Sequence, residues 1–189
     1  PPLRRQRQMC IRDSFELERE IREAPNTSAL AKVITVRSQA VLGFKDAVFC
    51  AGSSAQKMRA QAASNSDLVD PSSPVLTWVE ELCALHSSQL ENGINFVASP
   101  DNDIKGKNLL PKHVLFVPLQ SKNQGLLGCL VFTRTAKFSQ HDILLINHLA
   151  GTIGHALSIF FRKPNPILGI GMARLAAFIV VTLFLLAVF

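Results

Sequence analysis

The chain has 189 residues, of which 48% are hydrophobic and 18% are charged, and its formal net charge is +6. This composition is typical of one globular domain combined with a membrane segment. Four arginines against one aspartate give residues 1–14 a net charge of +3, which leaves +3 for the remaining residues. That charge is too small and too dispersed for a nucleic-acid-binding surface, so this class of partner is excluded.

The first 14 residues do not read like the start of a domain. Met9 to Ser14 has the sequence Met-Cys-Ile-Arg-Asp-Ser. This hexapeptide resembles a translated transposon end of the kind ligated to DNA during sequencing-library preparation. We therefore expect residues 1–14 to be a non-native scar, and the chain to be a fragment. A genuine basic tail is the alternative.

Two helices are predicted ahead of the first strand. The first covers Phe15–Glu23 and is rich in charged residues. The second begins at a cap on Thr27 or Ser28 and extends to about Leu42, where Gly43 ends it. After these two helices, the hydrophobic residues no longer recur at helical spacing and instead alternate with other residues.

The next segment predicts two strands and an amphipathic helix. The strands are Lys45–Ala51 and, more weakly, Lys57–Ala63, and a polar loop follows them. A helix is predicted from Pro74 to about Leu90. Its predicted apolar stripe consists of Val75, Trp78, Val79, Leu82 and Leu85.

The second half of the chain gives the strongest β-strand pattern. A short strand at Ile94–Ala98 is followed by a polar loop, Ser99–Lys112. The strands Val114–Leu119 and Leu126–Thr133 then form a predicted hairpin around the loop at residues 120–125. Helices and neighbouring antiparallel strands in this order predict an α+β domain over residues 15–161.

A long helix closes this domain. Ser139 is the predicted N-cap, Asp142 completes a capping box, and the helix extends to about Arg162. Its predicted buried face consists of Ile143, Leu144, Ile146, Leu149, Ile153, Ala156, Leu157 and Phe160.

The last 23 residues, Ile167–Phe189, are apolar apart from Arg174. A membrane-spanning helix needs roughly 20 such residues, so this segment predicts a single transmembrane helix, and its missing polar flank suggests that the helix is truncated. Residues 162–166 form a linker broken by prolines. The cations at Arg162, Lys163 and Arg174 predict that the folded domain is cytoplasmic. A buried core helix is the alternative.

Four short motifs resemble the C-terminal half of a GAF domain. They are Val117-Pro118-Leu119, Gly128-Cys129-Leu130, Phe138-Ser139-Gln140-His141-Asp142 and Leu144-Leu145-Ile146-Asn147-His148-Leu149-Ala150. The resemblance implies a GAF-like antiparallel sheet flanked by helices, with small molecules bound between the sheet and its covering helices. On that implication, the candidate pocket residues are Phe49, Phe96, Phe116 and Cys129, with ordinary core positions as the alternative.

The order of the segments is similar to that of haemolysin-secretion-type periplasmic adaptor proteins, also called membrane-fusion proteins. This resemblance implies a bacterial inner-membrane protein with one span, a cytoplasmic N-terminal domain, a transporter partner and a homo-oligomeric state. Two alternatives remain open. One is the sensory region of a histidine kinase or cyclic-nucleotide signalling enzyme, and the other is a degenerate GAF domain that only dimerises.

No motif for catalysis, phosphate binding or metal binding is found in the sequence. His141, His148 and His155 recur every seven residues, about 10 Å apart along a helix, which is too far for one metal ion. Cys50, Cys83 and Cys129 lie in apolar contexts without a Cys-x-x-Cys pair, which predicts buried reduced thiols. We therefore expect no enzyme activity, no cofactor and no metal within this chain.

Overall fold

The computed structural model describes residues 2–52, 54–65, 73–99 and 111–161, with side chains from residue 12 onward. Its first helix, α1, covers Pro2–Glu23, so the predicted end is confirmed. The helix begins earlier than the predicted start at Phe15, because arginine and glutamine are good helix formers and nothing interrupts them. Leu17 and Ile21 are buried one turn apart on α1.

The remaining elements follow in chain order. They are α2 (Thr27–Lys32), a π-helical turn (Val33–Arg37), α3 (Gln39–Leu42), β1 (Asp46–Ala51), a 3₁₀ turn (Ala55–Lys57), β2 (Arg59–Ala63), α4 (Pro74–Leu85), α5 (Ser87–Glu91), β3 (Phe96–Ala98), β4 (His113–Ser121), β5 (Gly125–Arg134) and α6 (Gln140–Phe160).

The predicted second helix is present, but a π-helical turn interrupts it between α2 and α3. Its cap is Asn26, whose side-chain oxygen accepts a hydrogen bond from the Ala29 N–H at 2.8 Å. The prediction of a cap at Thr27 or Ser28 is therefore wrong by one residue. Gly43 ends α3 in the left-handed conformation at φ 59°, as predicted.

The five strands form one antiparallel sheet in the order β2-β1-β5-β4-β3. The β4–β5 hairpin is tighter than predicted, because Gln120 pairs with Leu126 and Ser121 pairs with Gly125. β3 pairs with β4 only as far as Phe116. Pro118 lies beyond that pairing, so its missing N–H leaves no gap in the ladder with β3.

Each face of the sheet carries its own hydrophobic cluster. We call the side covered by α1, α2, α3 and α6 the first face, and the side covered by α4, α5 and the 3₁₀ turn the second face. The alternation of β1 illustrates the division, because Phe49 belongs to the first face and Cys50 to the second. This α+β architecture is an antiparallel sheet flanked by helices, as the sequence motifs imply.

The predicted amphipathic helix is divided at His86 into α4 and α5. Trp78 and Val79 are buried as predicted, but Leu85 is 74% exposed, so its assignment to the apolar stripe is wrong. Leu85 is the last residue of α4, so the helical spacing that assigns it to the stripe ends at that position. Gln120 fixes the end of α5 by donating to the Leu90 and Glu91 carbonyls at 3.1 and 2.7 Å.

α6 begins with the predicted capping box. Ser139 Oγ accepts from the Asp142 N–H at 3.2 Å, and Asp142 accepts from the Ser139 N–H at 2.8 Å. Ile146 and Leu149 are buried against the sheet, whereas Leu144 is 69% exposed, so its predicted burial is wrong. The buried face of α6 is narrower than the predicted apolar stripe, because α6 contacts the sheet along a narrower line.

Two glycines allow close backbone approaches. A Cβ on Gly128 would lie 2.6 Å from the Cys50 carbonyl oxygen, which confirms the close strand contact expected at this position. A Cβ on Gly154 would lie 2.4 Å from the Gln120 carbonyl oxygen. Gly154 therefore lets α6 pack directly against the backbone of β4.

Within the described residues, α6 is the one helix long and apolar enough to cross a membrane by length and composition. Its apolar residues pack on the first face, as the covering helix of a folded domain does. The predicted transmembrane helix at 167–189 and the predicted linker at 162–166 lie outside the described residues.

Candidate functional site

The structure places the four candidate pocket residues on opposite sides of the sheet. Phe49 lies on the first face, whereas Phe96, Phe116 and Cys129 lie on the second. Phe49 and Phe116 are both fully buried. Since the sheet separates Phe49 from the other three, these residues do not line one common cavity.

On the second face, the candidate residues are part of a ring stack. Phe96 and Phe116 are paired across β3 and β4, and their ring centroids are 4.4 Å apart at an interplanar angle of 8°. His86 stacks on the outer side of Phe96 with centroids 4.3 Å apart. The half-buried imidazole at the α4–α5 junction thus closes the stack, and Phe116 is packed inside it.

On the first face, an open groove of about 1010 Å³ lies beside Phe49. It runs between the α2–π-turn segment and the outer strand β2. Its lining consists of Glu20, Thr27, Ser28, Ala31, Lys32, Val33, Thr35, Val36, Arg37, Phe49, Gln61, Ala62 and Ala63.

Small side chains explain why this space is open. β2 is an edge strand, and it contributes Ala62 and Ala63 to the groove. Ala31 of α2 faces the same space from the helix side. Phe49 lies beneath them and is fully buried. Ligand sites in proteins are usually concave and mostly apolar with a few polar groups, and this groove has that character.

One wall of the groove contains the π-helical turn. The Thr35 hydroxyl donates to the Ala31 carbonyl at 2.8 Å, and the Ser38 hydroxyl donates to the Ile34 carbonyl. Such side-chain bonds to the preceding turn compete with the regular helical pattern, and the β-branched run from Val33 to Val36 disfavours it further. Single π turns inside helices are frequent at functional sites.

A bidentate ion pair joins this wall to α1. Arg37 donates to both carboxylate oxygens of Glu20, with N–O distances of 3.1 and 2.8 Å. The hydrogen bond from Arg37 outweighs partial burial and holds the pKa of Glu20 below its usual range. The same bond raises the pKa of Arg37. The pair therefore stays charged at neutral pH, at the edge of the groove.

A second contact continues from α1 to α6. Glu18 lies close to Glu20 on α1, and its carboxylate is 2.6 Å from Nε2 of His148. Glu18 also accepts a hydrogen bond from Arg22 at 2.8 Å. The groove wall, α1 and α6 are thus connected by two polar contacts in series.

The three described cysteines converge inside the second-face cluster, although they are far apart in sequence. Cys50 and Cys129 are paired across β1 and β5, and Cys83 packs over them from α4. All three are free thiols with no exposed surface, so their predicted burial is confirmed. Sequence spacing gave no sign that they meet, because each comes from a different element.

The exposed histidines of α6 form no metal site. His141, His148 and His155 are all exposed. Within the described parts of the chain, no group of three His, Cys, Asp or Glu residues is arranged to hold a metal ion.

Comparison with known proteins shows the fold and no closer relationship. No protein-family model and no curated protein matches the sequence. Among solved structures, the chain is similar to the GAF domain of a phosphoenolpyruvate-protein phosphotransferase from Acinetobacter, at 10% identity and a TM-score of 0.61 over 83% of this chain and 97% of the other. It is also similar to the GAF domain of a candidate sensor histidine kinase from Pseudomonas syringae pv. tomato, at 18% identity and 0.57 over 92% and 97%.

A third similar structure contains a ligand. It is the phycoerythrobilin-bound GAF domain of a cyanobacterial phytochrome, at 11% identity and a TM-score of 0.57 over 79% of this chain and 94% of the other. At these identities, similarity to solved structures establishes a GAF fold for this chain. It does not identify a ligand or a partner.

Proposed function

We propose that this chain is a non-catalytic sensory or interaction domain of a membrane-anchored protein, and that the first-face groove receives a small molecule. The groove itself is the observation that carries the proposal. It opens beside the buried Phe49 on the same sheet face as α6. In the sequence, α6 is followed after a short linker by the apolar run Ile167–Phe189.

The lining favours a small ligand with an apolar body and one polar end. Val33, Val36 and Ala62 supply the apolar surface, and Lys32 and Gln61 supply polar groups. The bilin-bound GAF domain of the comparison supports small-molecule binding by this fold, although it gives no identity for the ligand here.

We propose that binding is transmitted through the two polar contacts that connect the groove to α6. A ligand that displaces the π turn would move Arg37, and with it Glu20 on α1. α1 would in turn act on α6 through the Glu18–His148 contact. This coupling requires that the helices have two arrangements and that the ligand binds one of them more tightly than the other.

Ligand binding can be tested on the full chain in detergent micelles. Trp78 is the only tryptophan and is buried, so its fluorescence reports melting. We would screen medium-chain carboxylic acids and the matching alcohols. A compound present at about 100 times its Kd stabilises by about 2.7 kcal/mol, which raises the melting temperature measurably.

Two variants distinguish the groove from any other site. Ala62→Leu fills the groove and should abolish the shift, whereas Ala84→Leu adds the same atoms on the exposed side of α4 and should preserve it. The proposal fails if no compound raises the melting temperature, or if both variants respond alike.

Membrane anchoring through residues 167–189 is tested by fractionation of bacterial cells. The full chain should enter the inner-membrane fraction and resist alkaline extraction. Ile179→Arg places a charge inside the apolar run and costs about 2.5–3.5 kcal/mol of insertion, so it should release part of the protein. Leu144→Arg adds the same charge at an exposed position of α6 and should leave the distribution unchanged.

For the whole protein, we propose the N-terminal part of a secretion or efflux adaptor with a transporter partner. The sensory region of a signalling enzyme is the second candidate, and the similarity to the GAF domain of a candidate sensor histidine kinase favours it. The gene sequence beyond the codon for Phe189 separates the two. A β-rich segment with coiled-coil hairpins supports the adaptor, and a kinase or cyclase signature contradicts it.

A role in self-association is favoured by exposed apolar residues on the outer helices. Phe15 of α1 and Leu144 of α6 are 67% and 69% exposed. We expect a homo-oligomer that uses this surface. Light scattering of the full chain in micelles should give a multiple of the monomer mass, and Leu144→Asp should reduce it.

A further inference from the structure

The tip of the β4–β5 hairpin and the last turn of α6 lie together at one end of the domain. We call the hairpin tip, residues 121–125, and this last turn the hairpin end. Gln124 Nε2 donates to the Ser158 carbonyl at 3.1 Å, which ties the tip to the helix. One turn earlier, Gly154 brings the backbone of α6 against the Gln120 carbonyl. The hairpin tip and the end of α6 therefore form one packed unit.

The hairpin end exposes a cation next to apolar side chains. Lys122 at the tip is exposed and lines the same surface groove as Ile159, which is 62% exposed. Phe161, the C-terminal cap of α6, is 41% exposed. Basic side chains beside exposed aliphatic and aromatic ones suit a membrane–water interface, because the apolar parts enter the boundary while the charge stays among the headgroups. The hairpin end has this composition.

The connection from this end to the proposed membrane span is short. Only residues 162–166 separate Phe161 from Ile167. An extended chain covers at most about 3.6 Å per residue, so this stretch spans no more than about 22 Å. The start of α6 is about 30 Å further away along the helix, which has 21 residues at about 1.5 Å each. The hairpin end is therefore the end of the domain that the linker holds near the membrane.

We infer that the hairpin end docks on the membrane surface, with Lys122 among anionic lipid headgroups and with Ile159 and Phe161 at the edge of the hydrocarbon. The inference rests on the proposed membrane anchoring. The occupant is the surface of the membrane that holds the chain, because the linker keeps that surface within reach. Docking is then an intramolecular event, for which individually weak contacts are sufficient.

The other charged residues near this end of the sheet also favour an anionic surface. Lys57 in the 3₁₀ turn and Arg59 at the start of β2 lie at the same end as the hairpin tip. Arg59 is offset by Glu80, at an N–O distance of 3.6 Å. Glu91 at the end of α5 brings one further carboxylate. Together with Lys122, Lys57 leaves a net positive charge.

Charge does not by itself select this end, because Lys137 is exposed at the opposite end of α6. What distinguishes Lys122 is its place beside the linker, which contributes Arg162 and Lys163 ahead of the apolar run. One basic side chain near an anionic membrane strengthens binding by about fivefold, and the effect falls off within roughly 8–10 Å. In the docked domain Lys122 lies within that range and Lys137 lies outside it.

Headgroup proximity, measured on the full chain in vesicles, tests the inference. In Cys10→Ser protein the other three cysteines are buried, so Asn123→Cys at the hairpin tip or Ala136→Cys at the opposite end is labelled selectively with bimane. The vesicles contain phosphatidylcholine, with or without phosphatidylglycerol, and a lipid with a nitroxide on its headgroup. We expect about twofold or more extra quenching at residue 123, and a smaller difference without phosphatidylglycerol. Equal quenching at both positions, or the same difference in both lipids, would overturn the inference.

Charge substitutions give a second readout. Lys122→Gln should lower the ratio of docked to undocked domain by about fivefold, whereas Lys137→Gln should leave it unchanged. Equal effects of the two variants would contradict the docking of the hairpin end. Flotation of the same vesicles separates docking from anchoring. A chain that does not float with the vesicles defeats both proposals, and a chain that floats without extra quenching at residue 123 defeats docking alone.

Discussion

The two faces of the sheet bury similar residues but leave very different space around them. Phe49 and Phe116 are both fully buried phenylalanines, and they lie on opposite faces. Phe116 lies within a ring stack and Phe49 beside an open groove. The difference shows that the burial of a side chain does not establish that the space next to it is filled.

The covering elements explain the difference. The second face is covered by α4, α5 and the 3₁₀ turn, and Trp78, Leu90 and Met58 bring large side chains to it. The first face is covered near β2 by a short, interrupted helix that contributes Ala31. Close packing needs volume as well as apolar character, and alanines supply too little of it here.

The comparison predicts unequal losses for the same substitution. Phe116→Ala should cost about 4–5 kcal/mol of unfolding free energy, because it leaves an enclosed cavity, whereas Phe49→Ala should cost about 3 kcal/mol, since α2 can relax into the groove. Urea denaturation followed by Trp78 fluorescence measures both. Equal losses, or a larger loss for Phe49→Ala, would mean that the groove wall is as rigid as the stack.

A second pair of variants examines how α6 closes the first face. Gly154→Ala should destabilise by about 1–3 kcal/mol, because the new methyl group would collide with the Gln120 carbonyl and α6 would have to move. Gly151→Ala meets no atom within 4 Å on the same helix and should stabilise by about 0.5–1 kcal/mol. The same denaturation assay checks them. A neutral Gly154→Ala would show that α6 is free to shift.

Much of this fold could be predicted from local sequence. The ends of α1 and α3, the strands of the hairpin and the capping box of α6 each depend on residues close together in the chain, such as Gly43 and Ser139. The errors concern turns and stripe widths. Helical spacing predicts burial for Leu85 and Leu144, but both are exposed, because spacing alone does not say where a helix ends or how wide its contact with the sheet is.

The candidate site was less predictable, because it depends on contacts between distant segments. The family resemblance implies Phe49, Phe96, Phe116 and Cys129 as pocket residues. Period-two alternation along β1 predicts only that Phe49 and its neighbour Cys50 lie on opposite faces of the sheet. The alanines of β2 and the convergence of Cys83 with the strand cysteines carry no pattern in sequence. Only the sheet order and the placement of α4 bring them together.

A third prediction concerns the start of α6. Asp142 accepts from Ser139 and from Arg134, whose ion-pair N–O distance is 2.6 Å. Asp142→Asn should cost about 1 kcal/mol at pH 7, because the cap loses its charge-assisted bonds. Urea denaturation at pH 7 measures this loss. It should be smaller than that of Gly154→Ala, because the helix end can fray without moving the sheet contact.

The pH dependence of this loss has a definite sign. Burial tends to raise the pKa of Asp142, but the bonds from Ser139 and Arg134 outweigh it, and the net pKa is below the usual 3.8. A carboxyl group whose pKa is lower in the folded than in the unfolded protein stabilises the fold at pH values above its unfolded-state pKa. That stabilisation is lost as the pH falls through the folded-state pKa. The difference between wild type and Asp142→Asn should therefore be constant near neutral pH and shrink below about pH 4. A difference that grows on acidification would contradict the assignment.

The smallest effect is expected at the ion pair that joins the groove wall to α1. Glu20→Gln removes the bond to Arg37, whose side chain is 63% exposed, so the loss should be about 0.2–1 kcal/mol. It should vanish in about 1 M salt, where charges are screened within roughly 3 Å. Glu23→Gln is a matched control at an exposed position of the same helix. A Glu20→Gln loss well above 1 kcal/mol that persists in salt would mean that this pair determines the position of the groove wall, and the contrast between an adaptable first face and a packed second face would then have to be given up.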